Sequence, residues 1–195
     1  MKNNTPKKTK LVYGVGINDA DYAICPTVNG RQVMCPFYRA WANMLRRCYS
    51  KAFHKARPTY AGCTVTSEWL IFSKFKLWMN KQEWQAKQLD KDILFQNNRV
   101  YGPLACVFVS AEINTLLNEY SNGRGINPRG VSLFVNGRYQ AQCGAYGKNR
   151  HIGYYGTQEE ASEAYKKFKY KHISEVANQQ SEPLRTALLN YVIEG

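Results

Sequence analysis

Arg138, Gln140, Gln142 and His151 recur at strand-like alternation between Arg129 and Ala177, and Arg129, Lys148, Asn149 and Arg150 flank them on turns. Guanidinium and ammonium groups reach phosphate oxygens, and carboxamides carry the paired donor and acceptor that read a base edge. Ser132 joins them on the same face. Taken singly, each residue has the plainer explanation of a solvated strand position. As a set, in a chain of net charge +13, they point to nucleic acid. A second passage with the makings of chemistry, Leu89-Asp90-Lys91-Asp92, lies upstream.

Three strands and one helix must position the first set, the strands being expected over residues 130–134, 138–143 and 151–155. Asn136-Gly137 is a strong hairpin signal, because both residues tolerate the positive φ of a tight turn. Thr157-Gln158-Glu159-Glu160 reads as a capping box, with Thr157 accepting from a free backbone N–H and Glu160 reaching back. Ala161, Ala164, Tyr165, Phe168, His172 and Val176 follow at helical spacing, so one face of the helix can cover a sheet. The covered strand face is expected to hold Val131, Leu133, Tyr139, Ala141, Cys143, Ile152 and Tyr155. Ser132, Phe134, Arg138, Gln140, Gln142 and His151 are left for the outer face.

The landmarks Gly-Val, hairpin, Gly-x-Tyr-x-Ala, then Ile-Gly-x-Tyr-x-Thr-x-Glu-Glu-Ala-x-x-Ala-Tyr, taken in that order, resemble the ethylene-response-factor (APETALA) type DNA-binding domain. That domain is also carried by phage homing endonucleases and at integrase N-termini. The resemblance covers residues 129–178 and implies a three-stranded sheet lying in the major groove of double-stranded DNA. Where plant members of the family place Arg and Trp on the outer face, this chain has Ser132, Asn136, Gly144 and His151, so the family's target sequence does not carry over.

Composition agrees with a polyanion partner: 27 Lys and Arg stand against 14 Asp and Glu. A 44% hydrophobic chain of 195 residues can bury a core as one unit or two small domains. Neither a membrane-spanning run nor a signal-peptide hydrophobic region is visible, so a soluble, cytoplasmic protein is expected, with no membrane partner. The N-terminal Lys2, Lys7, Lys8 and Lys10 read as a basic arm. Six widely spaced cysteines with mostly apolar neighbours read as reduced, buried thiols. A zinc set from Cys35, Cys48, Cys63 and Cys106 lacks any Cys-x-x-Cys pair.

In the N-terminal two-thirds, residues 11–35 are broken by Gly, Pro and Asn29-Gly30, which fits loops and a small hairpin. Helices are expected over residues 38–49 and 68–79, with a basic loop at 51–60 between them. The apolar faces of these helices (Tyr38, Trp41, Leu45, Cys48; Trp69, Phe72, Phe75, Met79) are read as core packing rather than base-stacking residues. A turn-rich stretch at 96–103, a strand at 105–109 and a helix at 110–117 follow.

That order resembles the ββα-metal hairpin of HNH nucleases. Trp-x-x-Met-x-x-Arg-Cys-Tyr, Gly-Cys-x-Val-x-x-x-Trp, Leu-Asp-x-Asp and Tyr-x-Pro narrow the likeness to phage-encoded HNH proteins. The resemblance implies Mg or Mn as metal, with Asp90 and Asn114 as ligands, and a catalytic set of Asp90, Lys91 and Asn114. Phosphodiester hydrolysis needs such a metal and a base for the attacking water. Lys91 stands where the family has its general-base histidine, and Ala105 replaces the Asn that orients it. A lysine near its ordinary pKa of about 10.4 is protonated at neutral pH and accepts no proton. His54 is the histidine that could approach the motif from a loop.

The expected organisation is α+β: a basic arm and irregular segment (1–35), a degenerate HNH-like unit (36–118), a linker (119–128), the three-stranded sheet packed on one helix (129–178) and a final helix (179–195) bearing Leu184, Leu188, Tyr191 and Val192. Linker residue Arg124 could touch phosphate. The leading expectation is a duplex DNA-binding protein of phage homing-endonuclease descent, at work in the host bacterial cytoplasm, with cleavage lost or weakened. The alternatives are a metal-dependent nickase with an altered base, and an inhibitor docking on a host protein.

Overall fold

Asn29 and Gly30, at φ of 49° and 74°, close a two-residue hairpin between β1 (Thr27–Val28) and β2 (Arg31–Gln32). The computed structural model describes residues 10–117 and 127–193; the basic arm up to residue 9, most of the expected linker and Arg124 lie outside them. The chain is mixed α+β and divides into two compact units, residues 1–92 with 97–108, and residues 93–96 with 109–195.

In the first unit, Pro36 sits in the first turn of α1 (Pro36–Tyr49), where its missing N–H costs nothing. Trp41, Met44, Leu45 and Cys48 recur at helical spacing and are all buried. Gly16 packs against this face: a Cβ there would collide with Leu45 and meet Trp41 at 2.9 Å. Residues 51–60, expected as a loop, instead form α2 (Lys51–Ala56) and a 3-10 turn (Pro58–Tyr60). The Ser50 hydroxyl decides this by accepting from Phe53 N at 3.3 Å as an N-cap.

The helix expected over 68–79 is likewise two pieces, a 3-10 turn (Ser67–Leu70) and α3 (Phe72–Met79). Ile17 is the reason: its N–H donates to Leu70 O at 2.8 Å and its carbonyl accepts from Phe72 N at 3.0 Å, which holds Ile71 extended between them. Trp41, Trp69, Phe72 and Phe75 are at most 1% exposed, and Trp41 Nε1 donates to Trp69 O at 2.7 Å. These aromatics form the core of the unit and are not available to stack on bases. β3 (Thr64–Val65) pairs in parallel with β5 (Val100–Tyr101), a short strand inside the stretch expected to be turn-rich. β4 (Gln88–Asp90) pairs with β6 (Val107–Val109).

The first helix of the second unit is α4 (Ala111–Leu117), expected in the HNH-like unit but grouped here. Its centre is the antiparallel sheet β7 (Val131–Leu133), β8 (Tyr139–Ala145) and β9 (Lys148–Tyr155), packed against α5 (Gln158–Ala177). Tyr146 and Gly147, at φ of 53° and 71°, join β8 to β9, so both strands run longer than expected and Lys148, Asn149 and Arg150 are strand residues. The hairpin at Asn136-Gly137 is wider than two residues: Phe134 N donates to Arg138 O at 2.8 Å and Gly137 N to Phe134 O at 3.0 Å.

The capping box forms at α5. Thr157 Oγ1 accepts from Glu160 N at 3.2 Å while Glu160 Oε2 accepts from the N–H groups of Gly156 and Thr157. Val131, Ala141 and Ala161 make the buried cluster, with Tyr139, Ile152 and Tyr155 packed against it. Leu133, expected in this core, is 59% exposed, because it pairs with Tyr139 at the last step of the ladder before the hairpin, beyond that cluster. The final helix, α6 (Leu184–Leu189), buries Leu184 and Leu188 and ends before Tyr191 and Val192. Gln96 fixes the segment that follows, donating to Val192 O at 2.7 Å and accepting from Val192 N at 3.2 Å.

Candidate nucleic-acid interface

One irregularity in the sheet sorts its side chains. Ala141 pairs with Gly153 but Gln142 pairs with His151, so Ile152 is a bulged residue. Residues directly opposite in an antiparallel ladder share a face. Ser132, Gln140 and Tyr154 therefore form one row of the outer face, and Gln142 with His151 the next. The bulge lets Ile152 and Tyr155 both face α5 while His151 and Tyr154 point away from it. Alternation alone missed Tyr154; Gly153, a glycine inside a strand, was the sign of the bulge.

The outer residues bind one another. Gln140 Nε2 lies 3.0 Å from His151 Nδ1, and Asn149 Nδ2 donates to Gln142 Oε1 at 3.0 Å. Arg138 Nη2 donates to Tyr154 O at 2.6 Å. The Tyr154 ring lies between Phe134 and His151, at centroid separations of 5.0 and 4.7 Å. This gives a row of pre-oriented carboxamides beside an aromatic cluster, with Arg138 as the cation at its edge. A carboxamide bound once keeps further donor and acceptor capacity for a base edge.

The remaining cations of the expected set fall elsewhere. Arg150 pairs with the buried Cys143 and Lys148 with the buried Ala145, which places both on the α5 side of the ladder. The Arg150 guanidinium lies 5.7 Å from the centre of the Tyr146 ring. Arg129, half-buried, lines a cleft with Tyr165 and Lys169 of α5. The structure thus brings together Ser132, Arg138, Gln140, Gln142, Asn149 and His151 and separates them from Arg129, Lys148 and Arg150.

In the first unit, Lys91 is 7% exposed, and its ammonium donates to both carboxylate oxygens of Asp92 at 2.6 Å and to Asn98 O at 2.8 Å. Asn98 Nδ2 returns bonds to the carbonyls of Lys91 and Val100. Asp90 Oδ1 accepts from Asp92 N at 2.7 Å, a turn bond local to the chain. Burial pushes the Asp92 carboxyl above its usual range, against the pull of Lys91. Arg47 Nη1 donates to Leu89 O, and His54, on α2, makes a 2.8 Å contact with Arg47 O.

The implied metal finds a poor donor set here. A buried ammonium neutralises Asp92, the second carboxylate beside Asp90. Asn114 lies on α4. Among the described residues no three His, Cys, Asp or Glu side chains are grouped to hold a metal ion. The expected zinc set is therefore not brought together either; the six cysteines are free thiols, and burial pushes those of Cys48 and Cys106 up to about 12.

No helix among the described residues is long and apolar enough to cross a membrane. No protein-family model, curated protein or solved structure matches the chain.

Proposed function

We propose that this chain is a duplex DNA-binding protein whose outer sheet face, centred on Gln140, Gln142 and His151, lies in the major groove. The observation that carries the reading is the outer-face ladder, in which Gln140 is bound to His151 and Gln142 to Asn149, with Arg138 at its edge. Carboxamides held in place by neighbours lose little side-chain freedom on meeting a base edge, so each contact keeps more of its gain. The net charge of +13 supplies the long-range attraction to phosphates.

The resemblance of residues 129–178 to the ethylene-response-factor type domain supports the same face. The likeness of residues 36–118 to an HNH unit makes phage homing-endonuclease descent the reading of the whole chain. Cleavage is not part of the proposal: Lys91 holds the place of the general base and is engaged with Asp92 and Asn98.

A gel-shift titration on duplex DNA tests it. Binding should weaken steeply with salt, and changing Arg138, Gln140 and Gln142 together to Ala should remove the complex. Absence of a complex, or one indifferent to the triple change, refutes the assignment. A supercoiled plasmid incubated with the protein and Mg or Mn should stay closed; nicking that Asp90→Ala abolishes would reinstate the nuclease.

A further inference from the structure

A cleft of about 840 Å³ opens in the second unit, on the α5 side of the sheet, between α4, the β8–β9 hairpin and α5. Lys148, Lys169 and Arg129 line it, and Glu112 is its one carboxylate among the described residues. Lys169 is 6% exposed and no described acidic side chain pairs with it. His172, 3% exposed, also lines the cleft, and its Nδ1 has no hydrogen-bond partner. Tyr146 packs on His172 at 4.2 Å between ring centroids, and Tyr165 adds a second ring to the lining.

A buried ammonium with no counter-ion is costly, and so is a buried ring nitrogen with no partner. Two such groups facing one cavity are what a protein carries when an anion completes the site. Burial lowers the proton affinity of Lys169, and the charge of Arg129 adds to the effect, so an incoming anion restores the charged form. The volume falls within the range of small-molecule sites, larger than an inorganic ion requires, and the two tyrosines add aromatic lining suited to a flat ring system.

We propose that this cleft binds a phosphate monoester of nucleotide size, its phosphate held by Lys169, Arg129 and Lys148 and its base against the tyrosine rings. The cleft meets the DNA face at Asn149, which lines it, but none of Arg138, Gln140 and Gln142 does. The same chemistry has two sources, a free nucleotide and the 5′-phosphate at the end of a DNA strand.

Thermal unfolding of the full chain is followed with AMP, inorganic phosphate, adenosine, and blunt duplexes with and without 5′-phosphates. AMP should raise the midpoint progressively with concentration while adenosine does not, as for any ligand that binds only the folded state. Lys169→Met should weaken AMP binding by about tenfold or more, the loss of one charge-assisted contact. Lys148→Glu, at an exposed position, repeats the test if Lys169→Met does not fold. A larger response to the 5′-phosphorylated duplex than to the unphosphorylated one, with the difference lost in these variants, supports the proposal with the strand end as source. Equal responses to AMP and adenosine, no response to any phosphate, or full AMP binding by both variants overturns it. The triple change at Arg138, Gln140 and Gln142 should leave the AMP response intact, which keeps failure of this site distinct from failure of the DNA face.

Discussion

Lys91 and Asn98 bind each other twice: the ammonium donates to the Asn98 carbonyl at 2.8 Å, and the Asn98 carboxamide donates to the Lys91 carbonyl at 2.8 Å. The loop from Asp90 to Asn98 is closed by this pair, with Asp92 as the third member.

Lys91→Met should therefore act on stability. It removes charge-assisted bonds from a buried nitrogen, but Asp92 is half-exposed and rehydrates, so the loss should be about 1–3 kcal/mol. Urea denaturation measures it. Unchanged stability with lost DNA binding would make Lys91 a phosphate contact instead.

Arg138→Ala should lower DNA affinity and reduce the slope of log affinity against log salt by about one, as expected for one phosphate-neutralising cation. Gln140→Ala should leave that slope alone and change preference among sequences. A filter-binding salt series separates the two.

Gly130 and Gly137 share a positive φ, 70° and 76°, yet differ in surroundings. A Cβ on Gly130 collides with the Tyr165 ring and meets Gln142 O at 2.6 Å, whereas one on Gly137 meets nothing within 4 Å. Gly137→Ala should cost only the backbone strain of about 1–2 kcal/mol. Gly130→Ala should cost clearly more, with Tyr165 displaced from the cleft and AMP binding weakened. Denaturation midpoints of the pair check the order.

His172 has its proton affinity lowered by burial first and by Lys169 second; Glu175 and Glu112 pull the other way. The folded protein thus binds this proton less readily than the unfolded chain. Its contribution to stability is full above the ordinary value of 6.5 and is lost as pH falls from there through the lowered folded value. Denaturation of the wild type between pH 8 and 5 should show the decline, and His172→Gln should flatten it. An equal decline in the variant would assign the effect to other groups.

Local features of this protein were legible in its sequence. The Asn29-Gly30 hairpin, the Thr157–Glu160 capping box and the aromatic faces of α1 and α3 depend on residues within a turn or two of one another, so spacing and type suffice. The α+β class and the three-stranded sheet under one helix follow from the same periodicities. In the candidate site, the outer positions of Arg138, Gln140, Gln142 and His151 were equally readable.

Long-range backbone pairing decided the rest. Ile17 splits the expected helix at Ile71 from 54 residues away, and β5 exists because β3 offers it a parallel edge. The bulge at Ile152 settles which side of the sheet Tyr154 takes, and burial of Cys143 and Ala145 under α5 draws Arg150 and Lys148 to that side. Lys169 reads in sequence as one more cation on a basic helix; only the packing of α4, the β8–β9 hairpin and α5 around it makes it a buried charge facing a cleft. The sequence by itself determined that this protein is basic, that it folds a sheet on a capped helix, and that amides line the sheet's open face. The tertiary structure alone divided the cations between that face and the cleft behind it, because the side a strand residue faces depends on its partner strand as well as on its own position.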